Sequence, residues 1–359
     1  MEEIIEIKDM LDLLTQPAFF VNNGNIAYAN RSAQQRGFAP GIAVKDILHT
    51  GEADYAELEN GCLYLTLMQG DILYGASVQK AWDGTVFLLE QDNAQTELQA
   101  LALAAQELRA PLSGVMAAAD RLANRAASAQ DSATLEQLAH VNRGLFQILR
   151  MVSNMSDAIN YTASSLPPRV TRDIGSVCDE IFTAAEGYLQ QAQIQLSFTN
   201  LTESVFTAVD DEKLERAIYN LLSNSAKFVP KGGQINAKLT RRENYLYLTI
   251  QDSGSGVDPE VRGNIFTRYL RQPGIEDGRW GIGLGLVLAR SVAALHGGTL
   301  LVEYGESGGT RFTMSLSIRN STSGTLHSPV LTFDYAGERN HALIELSDAL
   351  PSHLYKKEI

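Results

Sequence analysis

Cysteine and long apolar runs are scarce in this chain of 359 residues. Its two cysteines, Cys62 and Cys178, lie far apart, which argues against a disulfide framework and against a cysteine-based metal site. No stretch approaches the roughly 18 consecutive apolar residues that a membrane-spanning helix needs. The chain starts with acidic and apolar residues, whereas a signal peptide starts with basic ones. Together these absences predict a cytoplasmic protein.

Positive charge is also in short supply. Lysine and arginine number 29 against 42 aspartates and glutamates, so the formal net charge is −13. Such acidity disfavours a general affinity for nucleic acid or for an anionic membrane surface, but it leaves room for one local basic site that binds a phosphorylated ligand. The hydrophobic content of 45% is that of an ordinary globular protein, and the length allows two or three domains.

Residues 1–92 have the pattern of a small module built on an antiparallel sheet. A short helix is predicted at residues 5–14, and the polar residues 22–25 predict a hairpin turn between two short strands. Leu63, Leu65 and Leu67 alternate with other residues, as one buried face of an antiparallel sheet requires. Further strands are predicted at residues 62–68, 72–79 and 85–90.

Residues 93–165 change to a helical pattern. Apolar residues spaced alternately three and four apart form a first seam at Leu98, Leu101, Ala105, Leu108, Leu112, Val115, Ala119 and Leu122. A second seam follows a polar stretch, at Leu138, Val141, Leu145, Ile148, Val152, Met155 and Ile159. The two seams predict an antiparallel helical hairpin.

Two helices alone would leave one apolar side of this hairpin exposed to water. Pairing with a second copy into a four-helix bundle would cover that side, so we predict a homodimer through residues 94–162. An intramolecular partner is the alternative. Pro167 and Pro168 then end the helical pattern, because neither can sit in a helix interior. The last residues, 320–359, form a C-terminal extension to which the sequence assigns no function.

A predicted helix at residues 220–228 carries three polar side chains on one face. Asn220, Asn224 and Lys227 are four and three residues apart, which places them on the same side of the helix. An amide oxygen is a hard, neutral ligand suited to Mg²⁺, and a lysine can reach a phosphate. On its own, this pattern is more often that of a solvated helix face.

A carboxylate stands at the end of a predicted strand, followed by two glycines. Asp252 comes directly after residues 245–250, and Gly254 and Gly256 follow. A carboxylate at a strand end can accept a hydrogen bond from an exocyclic amine such as that of adenine, and the glycines let the backbone turn beside a ligand. A plain turn would explain the same residues.

A second glycine run lies further along the chain. Gly281, Gly283 and Gly285 lead into a helical pattern, where open backbone N–H groups at the helix start can bind phosphates. Before them come Phe266 and Arg268, ahead of a polar loop with Gly274 and Gly278 that is a candidate lid.

In this order and spacing, the four segments resemble the N, first-glycine, F and second-glycine boxes of sensor histidine kinases, over roughly residues 94–319. The resemblance implies an α/β sandwich at residues 170–319 that binds Mg²⁺ and ATP. In it Asn224 would ligate Mg²⁺, Lys227 would touch phosphate and Asp252 would hold adenine. The ATP-binding residues it implies are Asn220, Asn224, Lys227, Asp252, Gly254, Gly256, Phe266, Arg268, Gly281, Gly283, Gly285 and Thr310.

Hsp90-like chaperones, gyrase-type topoisomerases and mismatch-repair ATPases use the same ATP-binding fold. Those hydrolytic relatives place a glutamate one turn before the magnesium asparagine, to activate water. Here that position holds Asn220, and an amide is no general base. The helix therefore favours kinase-type phosphotransfer over hydrolysis.

The family's first hairpin helix carries a motif of the form H-E-L-R-x-P-L, whose histidine takes the γ-phosphate. This chain has Gln106 in the place of that histidine, followed by Glu107 and the rest of the motif through Pro111. Gln106 lies one step past the seam residue Ala105, so we expect it to face solvent. A glutamine amide is not a nucleophile under these conditions, whereas imidazole is. His140, on the second helix, is a candidate substitute acceptor, with a structural or solvent-facing role as its alternative.

The N-terminal module resembles a PAS sensor domain, which commonly precedes such a hairpin. The expected whole is an α+β multidomain protein with a PAS-like antiparallel sheet module, a two-helix dimerisation hairpin and an α/β sandwich ATP-binding domain. We predict a signalling protein that binds Mg²⁺-ATP, is degenerate in histidine autophosphorylation, and works with a response regulator or a partner histidine kinase. The alternatives are an active kinase with another acceptor and a binding scaffold with a vestigial nucleotide site.

Overall fold

The computed structural model describes residues 2–90, 94–160, 170–257, 265–266, 283–304, 308–319 and 340–356. Several predicted features lie outside these residues, namely Pro167 and Pro168, Arg268, Gly281, and the candidate lid with Gly274 and Gly278. The side chains of Leu98 and Ile159 lie outside the description as well. Across the described ranges, no helix combines the length and apolar character needed to cross a membrane.

The described residues of the N-terminal module, 2–90, form a five-stranded antiparallel sheet with short helices. Its elements are α1 (Glu2–Asp12), β1 (Ala18–Asn22), β2 (Asn25–Ala29), α2 (Arg31–Gln34), α3 (Val44–Ile47), α4 (Glu52–Ala56), β3 (Cys62–Gln69), β4 (Ile72–Ala81) and β5 (Gly84–Leu89). The hairpin turn predicted at residues 22–25 is confirmed, with β1 and β2 paired antiparallel around it. Asn23 and Gly24 both have positive φ there, as a tight two-residue turn requires.

The sheet of the N-terminal module is buried on both faces of β3. Leu63, Leu65 and Leu67 are at most 1% exposed and face the module's own apolar core, as their alternation predicts. Cys62 and Tyr64, on the opposite face, are also buried. In a sheet with one buried face, this opposite face would lie in water. Because Cys62 and Tyr64 are buried, another part of the chain must cover it.

Two long helices follow, α5 (Ala94–Ser128) and α6 (Ser132–Asn160), in the positions that the heptad spacing predicts. Only every second residue of each seam is buried between the two helices. The buried set is Ala105, Leu112, Ala119, Leu138, Leu145 and Val152. The exposed set, which we call the outer stripe, is Leu108, Val115, Leu122, Val141 and Ile148, each between 44% and 53% exposed.

The remaining elements build a second sheet-and-helix layer. They are β6 (Val170–Asp173), α7 (Ile174–Gln191), β7 (Gln195–Asn200), β8 (Phe206–Val209), α8 (Asp211–Phe228), β9 (Gln234–Arg242), β10 (Tyr245–Asp252), α9 (Gly285–Leu295), β11 (Leu300–Tyr304) and β12 (Thr310–Ser317). The strand order is β7-β9-β10-β12-β11, with β7 parallel to β9 and the other neighbours antiparallel. Helices α7, α8 and α9 pack on this sheet in one apolar core.

Strand β3 of the N-terminal module pairs with β11, so the two sheets join. Leu300 lies opposite Tyr64, and Val302 opposite Cys62, in an antiparallel register. Within the described residues the joined sheet has ten strands. The guanidinium of Arg290 on α9 lies 4.1 Å from the Tyr64 ring centroid and also pairs with Glu90, which places a cation–π contact beneath the junction.

The C-terminal segment, residues 340–356, folds back onto the body of the protein. It contains α10 (His341–Glu345) and a single 3-10 turn (Ser352–Tyr355), and its apolar residues join the main core. Tyr355 packs edge-on against Phe146 of α6 at a centroid distance of 5.2 Å and donates a hydrogen bond to the carbonyl of Leu343. The segment therefore lies against the second hairpin helix and α8.

Candidate functional site

The candidate site is built along α8, whose ends are fixed by local sequence. Asp210 caps the start of the helix, and its carboxylate accepts a hydrogen bond from the backbone N–H of Lys213. The helix ends at Phe228, because Val229 precedes a proline and adopts an extended conformation. The predicted polar face thus occupies the last two and a half turns of a regular helix.

Asn220 and Asn224 sit one turn apart on α8 but in different surroundings. Asn220 is fully buried, and its side-chain oxygen accepts a hydrogen bond from Arg150 of α6 at 3.0 Å. Its amide nitrogen is buried without an acceptor in the described part of the chain. Asn224 is half-buried and makes no hydrogen bond to another described residue, so its amide oxygen is available to an incoming ligand.

Asp252 ends β10 and is held by two backbone N–H groups. One oxygen, Oδ1, accepts from Gly254 at 2.9 Å and from Thr310 at 3.1 Å. Burial raises the pKa of this carboxyl, and the two backbone hydrogen bonds oppose the rise. The contacts fix the orientation of this carboxylate, which is only 5% exposed. A group that recognises a ligand by hydrogen bonding needs such a fixed orientation.

Two glycines let the loops approach α8 closely. A Cβ on Gly254 would lie 2.8 Å from the carbonyl oxygen of Phe228, and a Cβ on Gly285 would lie 3.0 Å from the side-chain oxygen of Asn220. Any larger residue would push the loops away from the helix. The structure therefore brings the residues around Asp252 to the C-terminal end of α8. It brings the start of α9 to Asn220, about two turns before that end.

The remaining predicted glycines fit the same outline where they are described. Gly256 lies beside Gly309, next to Thr310, and Gly283 precedes the start of α9 with a positive φ. Phe266 is buried and packs edge-on against Tyr64 of β3, with ring centroids 5.8 Å apart. Phe266 thus contacts the N-terminal module, and the sequence pattern did not predict this contact.

Lys227 is paired with a carboxylate that the sequence did not bring to attention. Its Nζ lies 2.7 Å from Oδ2 of Asp348, in the C-terminal segment. The same carboxylate oxygen lies 2.6 Å from Nη1 of Arg150. Burial lowers the pKa of Lys227, the positive charge of Arg150 lowers it further, and Asp348 opposes both.

The position of the family's phosphoacceptor is open to solvent. Gln106 is exposed on α5, as predicted, and Glu107 beside it is exposed as well. Pro111 lies inside the same helix without ending it. His140 is exposed on α6, where its Nε2 lies 3.4 Å from the hydroxyl of Ser352. The side chains of Gln106 on α5 and His140 on α6 are therefore both accessible to a phosphoryl donor.

His296 has a structural role in the described fold. It is 3% exposed, its Nε2 accepts the backbone N–H of Asp210, and its Nδ1 lies 2.8 Å from the carbonyl of Val292. This arrangement suits a neutral ring with the proton on Nδ1, and burial lowers the pKa of the imidazole. The residue therefore holds α9 to the start of α8.

Magnesium would have to be held mainly by Asn224 and the ligand itself. In the residues that the structure describes, no group of three His, Cys, Asp or Glu side chains is arranged to hold a metal ion. Mg²⁺ retains several waters and is commonly bound through one or two protein oxygens and the phosphates of a nucleotide. The amide oxygen of Asn224, which is not hydrogen-bonded to any of the described residues, fits that mode of binding.

Comparison with known proteins gives a match at this site. Residues 209–320 match the family described as histidine kinase-, DNA gyrase B-, and HSP90-like ATPase. The sensor histidine kinase TmoS of Ectopseudomonas mendocina is 31% identical over 231 residues, which are 63% of this chain and 23% of TmoS. The adaptive-response sensory kinase SasA of Synechococcus sp. (strain JA-3-3Ab) is 28% identical over 65% of this chain and 64% of SasA.

A solved structure supports the fold. Full-length ShkA in complex with AMPPNP superposes on 63% of this chain and 47% of its own with a TM-score of 0.50, at 18% identity. The likeness concerns the fold alone. The chain spans about a quarter of the length of TmoS, so the comparison covers the shared part of the two proteins and not their remaining domains.

Proposed function

Given that the chain carries the ATP-binding domain of a sensor histidine kinase, we propose that it is a signalling protein that binds Mg²⁺-ATP and has lost histidine autophosphorylation at the usual position. The observation that carries the proposal is the contrast between Asp252 and Gln106. The first is buried and oriented by two backbone hydrogen bonds, and the second is an exposed amide on α5. On this proposal the chain retains the nucleotide-binding side of a kinase and lacks the ordinary acceptor.

On this proposal each polar group of α8 and the adjoining loops has a task. Asp252 would accept a hydrogen bond from the adenine amine through the oxygen that the backbone leaves free. Asn224 would ligate Mg²⁺, and Lys227 would approach a phosphate. When bound, Mg²⁺-ATP supplies the phosphoryl group and the charge neutralisation that its transfer needs.

Gln106 cannot replace a histidine in that transfer. Its amide nitrogen is conjugated with the carbonyl and is not a nucleophile, whereas a neutral imidazole carries a basic ring nitrogen. Glu107 is positioned beside it and exposed, but with a glutamine neighbour it has no imidazole proton to accept. The proposed loss is therefore chemical, since α5 continues through position 106 and leaves its side chain exposed.

We further propose that the chain is a homodimer through residues 94–162. The outer stripe is the observation that favours it, because five apolar residues on two adjacent helices are 44–53% exposed in a single chain. Burying them against a second copy would complete a four-helix bundle. The N-terminal module would act as a PAS-like sensor, and a response regulator or partner kinase would receive the output.

An active kinase with another acceptor is the second candidate function. The exposure of His140 on α6 favours it, since this is a histidine of the hairpin that a phosphoryl donor could reach from solvent. The contact of His140 with Ser352 is long and does not shield the ring.

The test is incubation of the purified protein with Mg²⁺ and γ-labelled ATP, beside Asn224→Ala and His140→Ala. We expect measurable ATP binding by the wild type, weaker Mg²⁺-dependent binding by Asn224→Ala, and no acid-labile label on any of the three. Label on the wild type that His140→Ala removes would establish the second candidate. Unchanged Mg²⁺-dependent binding by Asn224→Ala would disprove the assigned site.

A further inference from the structure

The C-terminal segment is anchored next to the candidate phosphate-binding residues by an apolar base. Leu343, Ile344, Leu346, Leu350 and Tyr355 are at most 1% exposed and belong to the same core as α6, α7 and α8. Burying side chains of this size contributes on the order of 1.5–3 kcal/mol each relative to leaving them in water. The apolar base thus holds the segment close to these residues, and its charged contacts add to that anchoring.

Asn142, Arg143 and Gln147 of α6 donate hydrogen bonds to backbone carbonyls of the segment, and two carboxylates of the segment enter the same contact. Glu345 is fully buried, with Oε2 lying 3.1 Å from Nε of Arg150 and Oε1 lying 3.6 Å from Nε of Arg216. Asp348 is 8% exposed and lies against Arg150 and Lys227. Glu345 therefore balances the arginines between α6 and α8, while Asp348 is the carboxylate that reaches the polar face of α8.

The contact between Asp348 and Lys227 has the chemistry of a phosphate contact. A lysine ammonium binds carboxylate and phosphate oxygens through the same charge-assisted N–H bonds, at about 2.7–2.9 Å. The Lys227 to Asp348 distance of 2.7 Å lies in that range. A second anion brought to the same ammonium would also meet the negative charge of Asp348 in a poorly hydrated site, where repulsion is strong.

We propose that Asp348 is an internal competitor of the nucleotide, occupying Lys227 in the place of an ATP phosphate and so lowering the affinity of the protein for Mg²⁺-ATP. The inference rests on the proposed function, because it requires Lys227 to be a phosphate ligand. ATP binding and docking of the segment then oppose each other, and by reciprocity each weakens the other by the same factor.

Arg150 extends the competition to the helical hairpin. Through its guanidinium it contacts Asp348 and also Asn220 and Ser223 of α8, at 3.0 Å and 2.9 Å. Asp348 therefore pairs with Arg150 of α6 and with Lys227 of α8, so the segment links the two helices at Lys227. Displacing Asp348 would remove one of the contacts that keep the ATP-binding layer against the second hairpin helix.

The first experiment compares ATP affinity in the full chain and two variants by calorimetry, with thermal unfolding to check the fold. Asp348→Asn keeps the size of the side chain and removes its charge, and we expect its Kd for Mg²⁺-ATP to fall by at least about fivefold, the low end of typical coupling between sites. Glu136→Gln is the matched control, because Glu136 pairs with Lys356 of the same segment at an exposed position. It should leave the Kd unchanged.

A Kd for Asp348→Asn that equals or exceeds that of the wild type, with the wild type binding ATP, would overturn the competition and leave the proposed function standing. If neither the wild type nor Asp348→Asn bound ATP, the proposed function itself would fail.

A second experiment needs no variant and so does not depend on how Asp348→Asn folds. Hydrogen–deuterium exchange of residues 341–355 is measured in the wild type with and without Mg²⁺-ATP. Competition predicts faster exchange with nucleotide, since ATP bound at Lys227 loosens the segment. Equal or slower exchange at saturating nucleotide would contradict it.

Discussion

The proposed nucleotide site and the exposed face of α5 depend on their key residues in opposite ways. Asp252 holds the backbone of Gly254 and Thr310, and Gly285 makes room for Asn220, so these residues support the fold as well as any ligand. Gln106 has an exposed side chain on a helix that continues past it in both directions. One region resists substitution for structural reasons, while the other accepts it without structural cost.

The contrast explains how a kinase could lose its acceptor and retain its nucleotide site. A histidine exposed on a helix contributes little to stability, so its replacement removes a reaction without weakening the protein. Replacing Asp252 would leave the buried N–H of Thr310 and the part-buried N–H of Gly254 without this acceptor. Experiments on Asp252 therefore have to separate the loss of a ligand contact from the loss of structure.

The largest effect is expected for Asp252→Ala. Losing the carboxylate should weaken ATP binding roughly 10- to 100-fold, the range for a hydrogen bond to a charged group, and should lower the free energy of unfolding by about 2 kcal/mol through the orphaned N–H groups. Calorimetry and urea unfolding measure the two effects. Asp252→Asn retains an oxygen acceptor, so it should recover most of the stability and little of the ATP affinity. Recovery of both would place adenine recognition elsewhere.

Asn220→Ala should have a smaller effect on ATP binding than Asp252→Ala, and its main effect should fall on stability. The substitution leaves a buried N–H of Arg150 without its acceptor, which costs about 1–3 kcal/mol in free energy of unfolding. Asn224→Ala is the matched control one turn away, where the side chain is half-buried and the change should stay within about 0.5 kcal/mol. Equal destabilisation by the two variants would mean that both asparagines are structural.

The smallest effect on stability is expected for Gln106→His. The change is confined to an exposed helix position, so the unfolding free energy should stay within about 0.5 kcal/mol of the wild type. Incubation with γ-labelled ATP should now give an acid-labile label, because the remainder of the motif is in place. Absence of label from a variant that binds ATP would show that the chain has lost more of the reaction than its acceptor.

Local patterns predicted most of the elements and the polar face of α8. The heptad spacing gave both hairpin helices, and the residues around the turn at Asn23 and Gly24 gave the first hairpin. These features depend on neighbours a few residues apart, which a sequence displays directly. The ligand roles of Asn224, Lys227 and Asp252 stay predictions that geometry supports and binding experiments must test.

Contacts between distant parts of the chain were not predictable in the same way. Pairing of β3 with β11 joins residues more than 200 positions apart, and its one local sign was the apolar character of both faces of β3. The partners of Lys227 were missed because Asp348 lies in a segment without a recognisable motif. Two acids, Glu345 and Asp348, within a largely apolar stretch were the available signal, since buried carboxylates in such a setting need cations as partners.

The pairing of β3 with β11 also means that the N-terminal module covers one edge of the ATP-binding layer. Expressed from residue 170 onward, it would display the hydrogen-bonding edge of β11, with Leu300 and Val302 beside it, to any strand in solution. Open edges of this kind recruit other chains and lead to aggregation or to adventitious dimers. The N-terminal module therefore also protects the edge of β11 from other strands. Association measured with a truncated fragment would reflect a surface that is covered in the longer chain.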